Sequence, residues 1–130
     1  MNNRIYHKLL INAVLNPLTA LFDVKNGELP AHPTRMALMR ALYEETALIL
    51  KGAGMQLESD GWAQIIEVCE RTSGNVSSML SDVRAGRKTE IGAINGAVVR
   101  LAEQQQLKAP CNRAVMELVD ALSKRSKMGE

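Results

Sequence analysis

The sequence predicts an all-α domain. Three observations carry that expectation. Apolar residues return at helical intervals in the long segments, no segment shows sustained period-two alternation with turn signals, and clusters of Gly, Pro and Asn fall between the periodic stretches. With 130 residues, 46% of them apolar, the chain can enclose one core, so a single domain over residues 1–130 is expected.

The first helix is expected from Ile5 to about Phe22, dense in Leu, Ile, Val and Ala. Pro17 removes one backbone donor and clashes with the carbonyl of Ala13, which predicts a kink or a restart there. Asp23 to Pro33, with Asn26-Gly27, Pro30 and Pro33, reads as a loop. Thr34 is the expected N-cap of a long helix on Met36, Leu38, Met39, Leu42, Ala47, Ile49 and Leu50, ending near Gly52-Ala53-Gly54. Ser59 or Asp60 can cap a third helix through Trp62, Ile65, Ile66 and Cys69, stopped by Gly74-Asn75. A short helix is expected from about Val76 to Ala85, and a longer one from about Thr89 to Gln105. A last helix, opened by Pro110 and Asn112, should run from Ala114 to about Lys124. The basic tail Lys124-Arg125-Ser126-Lys127 would complement that helix's C-terminus and then fray.

Composition excludes several function classes. A net charge of +2 with 3% aromatics supplies neither the basic field nor the stacking rings of a dedicated nucleic-acid binder. Cys69 and Cys111 lie far apart without a C-x-x-C, and His7 and His32 have no metal-ligand spacing, so neither a disulfide framework nor a metal site is expected. The apolar runs are short and interrupted, and Met1 is not followed by a signal-like segment; a soluble cytoplasmic protein is the expectation.

Chemistry is suggested at three places. Lys8, Asn12 and Asn16 recur every fourth residue, which stacks them on one helical face among apolar neighbours. Asparagine is a mediocre helix former, so the stripe is either an ordinary exposed face or a polar seam kept for a small polar ligand. In the second case Lys8 would lose hydration, its charged form would be disfavoured, and it would suit proton donation near neutrality. The second place is Asn75-Val76-Ser77-Ser78-Met79, at a helix start where free amides favour a carboxylate; alternatively Ser77 or Ser78 only caps the helix. The third is Lys88-Thr89-Glu90-Ile91-Gly92, with Gly96 four residues further on. Glu90 is either a first-turn charge or a functional acid, and the two glycines suggest close approach by a helix or a ligand. Gly52-Ala53-Gly54 is a partial dinucleotide-loop match that follows a helix rather than a strand, with Leu57 where the last glycine should be, and it is rejected.

Taken together these segments carry a family resemblance. Lys8 to Leu21 followed by Lys25-Asn26-Gly27-Glu28-Leu29 resembles the K-x-x-x-N-x-x-x-N-P-L-T-A…N-G-E-L signature of ketopantoate reductases. Ser77 to Ile91 followed by Ile94-Asn95-Gly96 resembles the family's S-S-M-x-x-D-x-x-x-x-R-x-T-E-I-x-x-I-N-G block, and Ala109-Pro110-x-Asn112 is similar to its closing A-P-x-N. The resemblance implies the family's C-terminal helical domain, similar to the C-terminal domain of 6-phosphogluconate dehydrogenase, and reduction of 2-dehydropantoate to pantoate with NADPH on the route to pantothenate and coenzyme A. By position it implies Lys8 as proton donor to the ketone oxygen and Asn12, Asn16 and Asn26 as substrate-holding residues. It likewise implies Ser78 as a ligand near the substrate carboxylate and Glu90 as an acid on the cofactor side of the cleft.

The resemblance covers no G-x-G-x-x-G nucleotide-binding domain. NADPH would be bound mainly by such a Rossmann domain, in cis or in trans, and these residues alone are expected to have negligible reductase activity. A competing expectation is a helical interaction module in which an apolar surface meets a partner or forms a homodimer. A related 2-oxo acid reductase could carry the same lysine and asparagine face.

Overall fold

The computed structural model describes residues 2–57 and 60–128, without the side chains from residue 124 onward. Its elements are α1 (Asn3–Phe22), a 3-10 turn (Asn26–Glu28), α2 (Pro33–Ala53), α3 (Gly61–Arg71), α4 (Ser78–Arg84), α5 (Ile91–Gln104) and α6 (Pro110–Met128). No strand occurs among the described residues. The all-α expectation is therefore met.

Helix α1 is the axis of the packing and touches α2, α4, α5 and α6. Asn2 starts it by accepting from the Ile5 amide, and Tyr6, Leu10, Val14 and Leu18 drive it into the core. The core continues through Leu29, Met39, Leu50, Ile65, Met79, Val98 and Val119, all but sealed from solvent. The outlying α3 is held to α2 by Trp62, whose ring centroid lies 5.5 Å from that of Tyr43, with the Arg40 guanidinium 4.9 Å above the indole.

Several boundaries differ from expectation for local reasons. The N-cap of α2 is His32, whose Nδ1 accepts from the Thr34 amide while Pro33 takes the first helical position; Thr34 lies inside the helix. Asp60 caps α3 through the Trp62 amide, and Ser59 lies outside the described residues. That helix ends at Arg71, ahead of Gly74, because the Thr72 hydroxyl bonds back to the Val68 carbonyl at 2.6 Å and the chain turns. Ser77, buried against α1, delays the start of α4 to Ser78. Helix α6 opens at Pro110 rather than Ala114, since proline suits a first turn. It continues to Met128; the tail side chains from Lys124 lie outside the described residues.

At Pro17 the helix does not restart; α1 runs through it. The missing proline N–H leaves the Ala13 carbonyl without its helical partner. Asn95 supplies one: its Nδ2 donates to Ala13 O at 3.0 Å and to Asn112 Oδ1 at 2.9 Å. Asn112 in turn donates from Nδ2 to Glu45 Oε2 at 2.8 Å and to Thr46 Oγ1 at 3.0 Å. Glu45 completes the network by accepting the Cys111 and Asn112 backbone amides at 2.9 and 2.7 Å, so that a carboxylate on α2 caps α6. Asn95 and Asn112 are both fully buried.

The two thiols are free, and both are pushed above their ordinary value by burial first. The carboxylate of Glu70 adds to this at Cys69 and that of Glu45 at Cys111.

Two outcomes follow from this packing. Glu45→Ala, which strips a charged cap from two amides and leaves Asn112 short of an acceptor, should cost about 2 kcal/mol in urea unfolding, with Glu45→Gln intermediate. Burial raises the Cys69 thiol from 9.0 to about 11, so the folded state keeps a proton that the unfolded state releases. The stability this contributes is full below about pH 8.5 and declines as pH rises toward 11; urea midpoints measured across that range should fall more steeply than in Cys69→Ala.

Candidate functional site

Lys8, Asn12 and Asn16 project from one face of α1, as their spacing requires. Lys8 is exposed and the two asparagines are half-buried. None of the three side chains bonds to another described residue, although Asn3 and His7, near the start of the same helix, both engage the Gln56 carbonyl. The loss of hydration expected around Lys8 is not provided by these residues; the side chain stands in solvent.

The upper end of this face meets the start of α4. Thr19, one turn beyond Asn16, is buried and donates from Oγ1 to the Asn16 carbonyl at 3.0 Å. Its oxygen lies 2.7 Å from Ser77 Oγ. The single Thr19 proton is already given to Asn16, so Ser77 is the donor between the hydroxyls. Ser77 Oγ also accepts the Leu80 amide as the α4 N-cap. Of the two serines the sequence offered as caps, Ser77 is the buried cap, and Ser78 presents an exposed hydroxyl bonded to no described residue.

Ser78 and Glu90 line one polar cleft of about 290 Å³ together with Met79, Asp82, Lys88 and Ile94. Arg87 partly neutralises Asp82 at 3.0 Å. Glu90 occupies the N-cap position of α5 without capping it through its side chain, which leaves the carboxylate exposed. The cleft is lined by residues of α4, of the start of α5 and of the segment between them, and both helices pack against α1.

Asn26 is placed differently. Its Nδ2 donates to Thr72 Oγ1 at 3.0 Å, and its amide donates to the Asn75 carbonyl at 3.1 Å, tying the 3-10 turn to the segment before α4. Its Oδ1 is buried and meets no partner. The adjacent Gly27 is required: a Cβ there would collide with Ser73. Of the two glycines in α5, only Gly96 faces a close neighbour, the Met116 sulfur of α6 at 3.4 Å from an added Cβ, whereas Gly92 faces open space. Gly54 closes α2 with φ 121°. Among the described residues, then, no strand–loop–helix cradle exists for a pyrophosphate, and no group of His, Cys, Asp and Glu could hold a metal ion.

Sequence reasoning missed Glu45 and the partnership of Asn95 with Asn112. Pro17 carried the signal: a proline mid-helix announces an orphan carbonyl four residues earlier, and a buried polar side chain elsewhere must answer it.

A family model described as ketopantoate reductase PanE/ApbA C terminal matches residues 1–123. The 2-dehydropantoate 2-reductase of Bacillus subtilis strain 168 is 45% identical over 102 residues, which make up 78% of this chain and 33% of that protein. A PanE/ApbA family ketopantoate reductase from Ralstonia eutropha JMP134 superposes with a TM-score of 0.88 at 26% identity, over 96% of this chain and 42% of that one. A D-mandelate dehydrogenase solved with NADH and anilino(oxo)acetate superposes with a TM-score of 0.82 at 27% identity, over 95% of this chain and 41% of that one. The chain therefore spans between 33% and 42% of these relatives.

The division of labour between the serines predicts that Ser77→Ala lowers stability by about 1 kcal/mol, measured by thermal or urea unfolding, while Ser78→Ala leaves it within about 0.5 kcal/mol of the parent.

Proposed function

Because this chain belongs to the ketopantoate reductase PanE/ApbA C-terminal family, we propose that it is the substrate-binding and proton-donating domain of an NADPH-dependent 2-dehydropantoate 2-reductase, acting in the cytoplasm. The observation that carries the reading is the stripe of Lys8, Asn12 and Asn16 on α1, without partners among the described residues, together with a polar cleft on the neighbouring α4 and α5 that holds Ser78 and Glu90. Amides and an ammonium with no partners among the described residues can serve a ligand. The free thiols of Cys69 and Cys111 accord with a reducing compartment.

The bound nicotinamide supplies the hydride that reduces the ketone carbon. As that carbon becomes tetrahedral its oxygen gains negative charge, which the Lys8 ammonium would stabilise and then protonate. Asn12 and Asn16, each with donor and acceptor, would orient the oxo and hydroxyl groups, and the Ser78 hydroxyl would bond the carboxylate near the start of α4. Glu90, across the cleft, would accept from hydroxyl donors on the cofactor side. Asn26, with one Nδ2 proton given to Thr72, would keep the other proton and its buried, unpartnered Oδ1 for a ligand. A nucleotide-binding domain, in cis or in trans, would cover Lys8 and provide the dehydration that these helices do not.

Two observations favour further readings. The likeness to D-mandelate dehydrogenase suits a related 2-oxo acid, since an ammonium, two amides and a hydroxyl recognise the shared ketone and carboxylate. An apolar groove of about 370 Å³ between α1, α2 and α6, with Phe22, Leu38 and Leu118 on its rim, suits a helical interaction module or homodimer; size-exclusion chromatography showing a clean monomer would count against it.

NADPH oxidation with 2-dehydropantoate should be negligible for this chain alone and restored when it is joined to a family nucleotide-binding domain. In the joined protein Lys8→Ala should lower kcat by about 10²–10⁴-fold. A folded, joined protein that stays inactive, or a Lys8→Ala form as fast as its parent, would refute the reading.

A further inference from the structure

We propose that Asn95 is a positioning residue for this reaction: through the Ala13 carbonyl it fixes the rotation and height of the Lys8, Asn12 and Asn16 face relative to the cleft that holds Ser78 and Glu90. The inference rests on the function proposed above.

The geometry is closely specified. Pro17 leaves Ala13 O without a helical donor, and Asn95 Nδ2 meets it at 3.0 Å. The second Nδ2 proton goes to Asn112 Oδ1 at 2.9 Å, so both protons of one amide are committed to acceptors on different helices. Reversing the amide would set Oδ1 against two oxygens, which fixes its orientation. Asn112 cannot drift away, because Glu45 and Thr46 hold its own Nδ2 and Glu45 holds its backbone amide. The clamp therefore refers the middle of α1 to a rigid frame made by α2, α5 and α6.

Its location ties it to the site rather than to general packing. Ala13 lies between the two asparagines of the polar face, and Ile94, beside Asn95, forms a wall of the cleft. One bond thus joins the helix of the polar face to the helix that gives Ile94 to the cleft. For stability alone a simpler solution exists: a residue with an N–H at position 17 would close the helical bond, and apolar residues at 95 and 112 together would fill the core without an orphan, whereas here Asn95 Oδ1 remains buried and unpartnered. The paired proline and asparagine sacrifice some stability and gain a directional contact across the α1–α5 contact.

The test joins this chain to a family nucleotide-binding domain and compares Asn95→Leu, Pro17→Ala and the double variant by kcat and KM for 2-dehydropantoate, at a temperature where circular dichroism shows each fully folded. Asn95→Leu should lower kcat/KM at least tenfold with a raised KM, and Pro17→Ala in the same chain should recover melting temperature but not kcat/KM, because the N–H returned at position 17 satisfies Ala13 without tying α1 to α5; recovery of kcat/KM there would overturn the proposal. On the chain alone, amide hydrogen exchange over residues 12–16 should quicken at least tenfold in Asn95→Leu and slow again in the double variant. An Asn95→Leu form that loses melting temperature but keeps kcat and KM within twofold of the parent overturns the proposal. Should Asn95→Leu not fold, the double variant is compared with Pro17→Ala: a tenfold deficit in kcat/KM supports the proposal, and equal kinetics overturn it. Lys8→Ala run alongside separates the failures, since a fast Lys8→Ala defeats the reading of the site and a fast Asn95→Leu defeats only the positioning role.

Discussion

The carbonyl of Ala13 sets a constraint that the centre of this fold must answer. In a helix it would take the amide of residue 17, but that residue is Pro17, and a buried carbonyl left bare costs on the order of 1–3 kcal/mol. Burying Asn95 to meet it creates a second demand, because a buried amide must itself be satisfied. Asn112 answers the second N–H of that amide, leaving its Oδ1 bare, and Glu45 answers Asn112 while capping the helix on which Asn112 lies. Each polar group is thus explained by the one before it. Helices α1, α2, α5 and α6 are tied by directional contacts in a region where apolar packing alone would tolerate sliding.

The same constraint separates the faces of α1. Apolar residues such as Leu10, Val14 and Leu18 pack inward, and the Lys8, Asn12 and Asn16 face stays open. A 20-residue helix held on several sides has little freedom to rotate and cover that face, so three polar side chains are kept without protein partners in defined positions. Where the face ends, the hydroxyl relay from Ser77 through Thr19 to the Asn16 carbonyl joins the start of α4 to α1. Ser77 spends its proton on that junction and its oxygen on the Leu80 amide, which is why its neighbour is the serine left for a ligand.

Much of the fold was legible because helices announce themselves by period and punctuation. The all-α class, the six helices and the close of α2 at Gly54 follow from residues that act locally. Boundaries failed where a local rule met a competitor: His32 took the cap expected of Thr34, and Thr72 turned the chain before Gly74 could. The candidate site was legible as a stripe because spacing alone stacks Lys8, Asn12 and Asn16. The exposure of Lys8 was not, since it depends on what covers the helix. Nor was Glu45, whose role is visible only once α2 and α6 are neighbours: a glutamate within a helical period looks like any solvated charge until it is found at another helix's first amides.

What this domain can contribute to selectivity follows from the kinds of group it presents. An ammonium, two carboxamides and a hydroxyl recognise a ketone and a carboxylate, the parts that all 2-oxo acids share, and they distinguish poorly among the carbon chains attached. Discrimination between such chains comes from apolar walls, where one methylene is worth about 1–3 kcal/mol. Near the polar face the described helices offer few: Met79 and Ile94 line the cleft, and the large apolar groove is formed by other residues of α1, Leu18, Leu21 and Phe22, with α2 and α6. On the proposed function, the helical domain fixes the class of reaction and the handle by which the substrate is held. The shape of the substrate's remaining carbons must then be read largely by whatever closes over Lys8, and one helical scaffold could serve reductases of different 2-oxo acids with its polar face unchanged.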